Sequence, residues 1–225
     1  MKILAVDTTT DLGGVAVGTD GVLEGAILLR TPQGYSQTLV PMLDFVLAQL
    51  NGSLDEIDLL TVATGPGSFT GVRIGLAVAK AIGQSRKIPG LGLSTLEVLA
   101  FCFSGYSRPV VPMLDARRGQ VYGAVYSWAE SHSRACVEER VGSPESLLES
   151  IPEDLNPLFV GTGAAVHENL IRKSWPDALL IAEQPPLLSA LIRLAEERAA
   201  AAGSVEKIRA NYLRPSDAEL RRKGV

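Results

Sequence analysis

The stretch Thr64–Gly83, "TGPGSFTGVRIGLAVAKAIG", places a glycine-rich turn ahead of a helical pattern. Many proteins hold a phosphate in this way, on backbone N–H groups at a helix N-terminus. The Walker loop requires Gly, four residues, then Gly-Lys-Ser or Gly-Lys-Thr, so that the lysine neutralises the phosphates. No such tripeptide follows here, and the nearest basic residue is Arg73. The dinucleotide fingerprint needs glycines at relative positions one, three and six. Here they fall at Gly65, Gly67 and Gly71, one residue too far. A helix N-terminus still attracts anions, so phosphate binding stays open beside the plainer reading, a tight strand-to-helix turn with Ser68 as N-cap. Glycine then keeps recurring. Gly71, Gly75, Ala79 and Gly83 are spaced by four and share one helix face. Each interior glycine costs about 0.5–1 kcal/mol relative to alanine, so the stripe predicts an unusually close neighbour. That neighbour is a helix of a partner, or else the chain's own sheet.

Other chemistry is scarce. His132 and His167 are the only histidines and form no HExxH pattern, and Cys102 and Cys136 make neither a disulfide framework nor a zinc site. No catalytic nucleophile–base pair and no metal site is expected. The 225 residues carry a formal net charge of −4, with 46% hydrophobic residues. A sizeable core is therefore available, and the balance is wrong for a protein that grips nucleic acid alone. Arg221, Arg222 and Lys223 form the one dense basic cluster, which reads as a solvated tail. No apolar run reaches the ~18–20 residues of a membrane span, and "ILAV" is too short for a signal peptide. A cytoplasmic protein is expected.

The elements that must position these residues come in two similar sets. "KILAVD" reads as a buried strand, and "GGVAVGTDGVLEGAILLR" as two strands joined at "TDG". A helix follows through Leu39, Leu43, Val46, Leu47 and Leu50, with Pro41 delaying its start. "DLLTVATG" leads into the glycine-striped helix, and "IPGLGLS" and "TLEVLAF" follow as strand and helix. After "SGYSRP" the pattern begins again. "VVPMLDARRGQVYGAVYS" repeats the order of apolar strand, Asp, polar turn with glycine, and apolar strand seen in "ILAVDTTTDLGGVAVG". "RACVEERV" supplies a third strand, "PLFVGTGAAVHENLI" a strand, a Gly-x-Gly turn and a helix, and "PPLLSALIRLAEERAAAAG" a last helix. The expected division is residues 1–103, residues 104–210 and a tail of residues 211–225.

This duplicated β-β-β-α-β-α order, with an Asp after each first strand, resembles the actin, sugar-kinase and Hsp70 (ASKHA) class. In that class two hairpin turns clasp phosphates and a later Gly-x-Gly turn meets adenosine. Asp7, Thr8, Asp115, Gly161 and Gly163 occupy those places, although each is also ordinary turn chemistry. An active kinase or ATPase would need acidic groups for magnesium and a base for the acceptor. Asp7, Asp58 and Asp115 are present, but no acceptor-binding pattern is legible.

The combination of "ILAVDTTT", "GPGSFTGVRIGLAVAKAIG", "LDARRGQVY" and the late "YLRP" closely resembles the bacterial TsaB (YeaZ) family, from Met1 to Pro215. Relatives commonly begin the first helix with His-Ser, where this chain has Tyr35-Ser36. The resemblance implies a non-catalytic subunit that pairs with the related TsaD and with the ATPase TsaE. Together they support threonylcarbamoyl transfer to the adenosine beside the anticodon of tRNAs reading ANN codons. It implies no cofactor of its own, ATP only in the assembled complex, tRNA only through that complex, and a homodimer when TsaD is absent. A self-sufficient homodimeric scaffold is the second alternative. The residues point to where a partner would sit. Apolar positions of the glycine-striped helix spread over roughly 200°, against about 100° for a stripe that faces only a core. Phe45 and Met42 fall outside the main apolar arc of the earlier helix. The expected interface is Leu39, Met42, Phe45 and Val46 with Gly71, Ile74, Gly75, Val78, Ala79 and Ile82.

Overall fold

The computed structural model describes residues 1–31, 33–129, 132–152 and 155–214. They form two units, each built on a five-stranded mixed sheet. In the first, β1 (Lys2–Asp7), β2 (Leu12–Thr19) and β3 (Val22–Arg30) make an antiparallel meander. Asp20 and Gly21 turn β2 into β3 with φ of 51° and 75°, the two left-handed residues that a tight hairpin requires. β4 (Leu59–Ala63) then lies parallel to β1, and β5 (Gly90–Leu93) parallel to β4, giving the order β3-β2-β1-β4-β5, with α3 (Thr95–Phe101) following β5.

Helices cover both faces because β1 and β4 are buried along almost their whole length. On one face α1 (Leu39–Gln49) and α2 (Phe69–Arg86) pack Leu39, Met42, Leu43, Val46, Val72, Leu76, Ala79 and Ile82 over Leu4, Val6, Leu60 and Val62. Pro41 sits in the first turn of α1, where its missing N–H has no intrahelical partner to lose. Side chains alternate across a strand, so Ile3, Ala5 and Ala16 face the opposite side. There α7 (Leu188–Glu197) packs, with the Ile192 side chain against Gly18.

The second unit repeats this plan. β6 (Val110–Asp115), β7 (Val121–Ala129) and β8 (His132–Gly142) form the meander, and β9 (Leu158–Val160) and β10 (Leu179–Ile181) extend it in parallel. The order is β8-β7-β6-β9-β10, the same as in the first unit. Its core is Val111, Met113, Val121, Val125, Leu147, Phe159 and Ile171, closed by α4 (Pro144–Glu149), α5 (Thr162–Val166) and α6 (Glu168–Ser174). The duplicated actin-like architecture expected from the sequence is therefore present.

The division of the chain differs from the sequence-based one. The first unit comprises Met1–Val98 and Pro186–Asn211, and the second starts at Leu99, ends at Pro185 and resumes at Tyr212. Residues 186–210 thus leave the expected C-terminal domain. The cause is apolar burial: Leu188, Leu191, Ile192, Leu194 and Ala195 of α7 are at most 2% exposed and cover the first sheet. The chain then runs beside β5, exchanging Gly90–Gly203 backbone hydrogen bonds of 2.7 and 3.1 Å, and inserts Val205 into the first core. The Arg221–Lys223 cluster lies outside the described residues.

Candidate functional site

The loop between β1 and β2 meets the start of α2, and the two pack closely there. Asp7 ends β1 and is fully buried. Its Oδ1 accepts from Thr9 N–H at 2.9 Å and from Thr9 Oγ1 at 2.7 Å. Its Oδ2 has no partner among the described residues. Burial pushes the Asp7 carboxyl above its ordinary range, against the two Thr9 hydrogen bonds that favour the charged form. Tyr35, also buried, places its hydroxyl 3.0 Å from the carbonyls of Thr10 and Asp11 and so braces the loop from below.

The glycine turn clamps onto this loop. Ser68 N–H donates to Thr9 O at 2.7 Å, and Gly71 N–H donates to the Ser68 hydroxyl at 3.2 Å. Thr8 Oγ1 donates to Gly71 O at 2.7 Å. Two N–H groups that would grip an anion are therefore engaged by the chain's own atoms. The glycines follow from the same contact. A Cβ on Gly67 would lie 2.2 Å from Thr9 O, and one on Gly71 only 1.8 Å from Thr8 O.

The rest of the stripe continues this packing. A Cβ on Gly75 would lie 2.4 Å from Thr8 Oγ1 and 3.6 Å from Val6 and Val62, and one on Gly83 would lie 2.6 Å from Val205. Ala79 is fully buried. The close neighbour is thus the chain's own sheet and loop, not a partner helix. This corrects the expected interface: Gly71, Gly75, Ala79 and Ile82 are buried within the first unit, as are Leu39, Met42 and Val46. The sequence misleads here because small residues let a helix approach any backbone, and the spacing does not say whose. What remains outward is Phe45 at 56% exposed, with Ile74 and Val78 half-buried. Val40, 50% exposed, belongs with them and was missed. Its signal was available, an apolar residue just off the buried arc of α1. Both helices lie on one face of the first sheet. Arg73 bounds that surface, its guanidinium stacked 3.8 Å over the Phe69 ring.

The corresponding places in the second unit share the close glycine packing but not the burial of the aspartate. Asp115 is exposed; its Oδ1 accepts from Arg117 N–H at 2.8 Å, and its own N–H donates to Thr162 Oγ1 at 3.2 Å. Gly161 has φ of 100°, and a Cβ there would lie 2.7 Å from Met113 O. A Cβ on Gly163 would lie 3.0 Å from the backbone of Met113 and Leu114. The Gly-x-Gly turn thus lets α5 press onto β6. Among the described residues no group of three or more His, Cys, Asp and Glu side chains is placed to hold a metal ion, and no helix is long and apolar enough to cross a membrane.

A family model described as "TsaD: tRNA N6-adenosine threonylcarbamoyltransferase" matches residues 30–220. The chain is 30% identical over 225 residues to the tRNA threonylcarbamoyladenosine biosynthesis protein TsaB of Bacillus subtilis (strain 168), covering 98% of this chain and 97% of that one. It is 35% identical over 184 residues to the protein of the same name in Escherichia coli (strain K12), covering 79% and 74%. Among solved structures it is similar to an uncharacterized protein with similarity to peptidase YEAZ from Pseudomonas aeruginosa. The TM-score is 0.81 at 26% identity, over 95% of this chain and 99% of that one.

Proposed function

The chain belongs to the TsaB family of tRNA threonylcarbamoyladenosine biosynthesis proteins, and on that premise we propose that it serves there as a non-catalytic subunit. It pairs with TsaD, which carries the metal and the chemistry, and with the ATPase TsaE, to support threonylcarbamoyl transfer to the adenosine beside the anticodon. It has no cofactor of its own. ATP enters only in the assembled complex, tRNA is bound through that complex, and the setting is the cytoplasm.

The observation that carries this reading is the filled clasp at the end of β1. A working phosphoryl-transfer site needs an ionised carboxylate within reach of magnesium and free N–H donors on the phosphates. Here Asp7 is fully buried with its carboxyl pushed up, and Ser68 and Gly71 N–H are engaged by Thr9 O and the Ser68 hydroxyl. The partner surface is the outward part of α1 and α2: Val40 and Phe45 with Ile74 and Val78. Two copies pair through the same surface when TsaD is absent.

Reconstitution tests the reading. The chain, TsaD and TsaE, supplied with threonylcarbamoyl-adenylate, ATP and unmodified tRNA, modify the tRNA, and omission of this chain abolishes product. The chain alone hydrolyses ATP no faster than buffer. Metal-dependent ATP turnover by the isolated chain that disappears in Asp7→Ala would establish the kinase or ATPase alternative instead.

A further inference from the structure

We propose that the β6–β7 turn of the second unit, Arg117 and Arg118 with Arg214 at its base, contacts the phosphate backbone of tRNA in the assembled complex. The inference rests on the subunit role above and gives this chain a direct share in holding the RNA.

The turn has an unusual conformation for its sequence. Arg117, Arg118 and Gly119 have φ of 62°, 52° and 70°, three left-handed residues in succession. That region is costly for any residue with a Cβ, and tight turns that need it ordinarily take Asn, Asp or Gly. Nothing lies within 4 Å of a Cβ built on Gly119, so the turn opens to free space at that residue. Both arginines are exposed.

The backbone is nonetheless held firmly. Asp115 Oδ1 accepts from Arg117 N–H at 2.8 Å, Ala116 N–H donates to Gln120 O at 2.9 Å, and Gln120 N–H donates to Arg117 O at 3.0 Å. Arg214 Nη1 donates to Ala116 O at 2.8 Å, which brings a third guanidinium to the turn. Arginines at three positions thus meet at one turn, on a chain whose net charge is −4. Exposed arginines on a fixed turn suit phosphate, because the planar fork donates two parallel hydrogen bonds to phosphate oxygens and is weakly hydrated. Such contacts set position and affinity without reading bases. The acidic remainder of the chain explains why the turn acts only beside TsaD.

The test uses the double variant Arg117→Asn/Arg118→Gly in the reconstituted complex with TsaD and TsaE. Asn and Gly tolerate the left-handed turn, so this variant folds and assembles as wild type does. Binding of unmodified tRNA is followed by fluorescence anisotropy between 50 and 300 mM KCl. Each phosphate contact contributes about 0.7–0.9 to the slope of log affinity against log salt. The double variant is expected to lose about 1–2 from that slope and to bind several-fold more weakly at low salt. Modification then shows a raised KM for tRNA with kcat retained. Arg117→Lys/Arg118→Lys keeps most of the slope, and Arg117→Gln alone loses about half of the double-variant effect. Unchanged affinity and slope in a verified complex overturns the proposal. So does weakened ATP binding with tRNA binding intact, which would make the turn a nucleotide contact. A wild-type chain that fails to support modification overturns the subunit role, and this contact with it.

Discussion

Enlarging Gly75 is the sharpest probe of the packing against β1. A Cβ there would lie 2.4 Å from Thr8 Oγ1 and 3.6 Å from Val6 and Val62. In Gly75→Ala the Thr8 side chain must swing away and give up its 2.7 Å hydrogen bond to Gly71 O. That loss is worth about 1 kcal/mol. Alanine's better helix propensity returns about 1 kcal/mol, so the two offset each other. Overpacking of about 1–3 kcal/mol remains. At 2–4 °C per kcal/mol for a chain of this size, the melting temperature should fall by roughly 2–12 °C. Gly71→Ala should be worse, because its Cβ would lie 1.8 Å from the Thr8 carbonyl, and a backbone atom cannot rotate aside. Ala77→Leu, on the exposed side of α2, is the control and should change stability by no more than about 0.5 kcal/mol. Calorimetric unfolding of the isolated chain reads all three, beside capture by immobilised TsaD of whatever folds. A Gly75→Leu chain that melts at or above the wild-type temperature and yet fails to bind TsaD would refute this account and return the glycine stripe to the partner interface.

Three further outcomes are expected. Burial holds the Asp7 carboxyl above its ordinary range, so the stability it contributes is complete below the unfolded-state value, about 4. That contribution is lost as pH rises through the higher folded value. Asp7→Asn should therefore gain on wild type between pH 4 and pH 7.5 in urea unfolding, and a difference independent of pH would contradict the assignment. Phe45→Glu, at a position 56% exposed, should leave the melting temperature of the isolated chain almost unchanged while abolishing capture by TsaD; undiminished capture would remove α1 from the interface. Tyr35→Phe deletes the hydroxyl that meets the Thr10 and Asp11 carbonyls. It should lower stability by about 1–2 kcal/mol, seen as a shifted denaturant midpoint at constant slope.

Local periodicity was enough for the elements and their duplication. Strand spacing, the Asp-Gly turn at Asp20–Gly21 and the repeated strand–Asp–turn order all depend on neighbours within a few residues; the first five-stranded sheet and four strands of the second follow from them, whereas β10, three residues long, was not expected. The glycine stripe also announced a close contact correctly. Its owner was undetermined, because a four-residue repeat of small side chains describes one surface of a helix and not what lies against it. The Thr8 and Thr9 carbonyls that fill that space come from about 60 residues earlier in the chain. For the same reason α7 was assigned to the wrong unit: its apolar face suits either sheet, and only the folded chain carries Leu191 and Ile192 back onto the first. The outward position of Val40 and Phe45, and the left-handed turn at Arg117 and Arg118, were likewise decided by tertiary structure. Exposure is what remains after every distant segment has packed, and that sum over the whole chain has no local signature in the sequence.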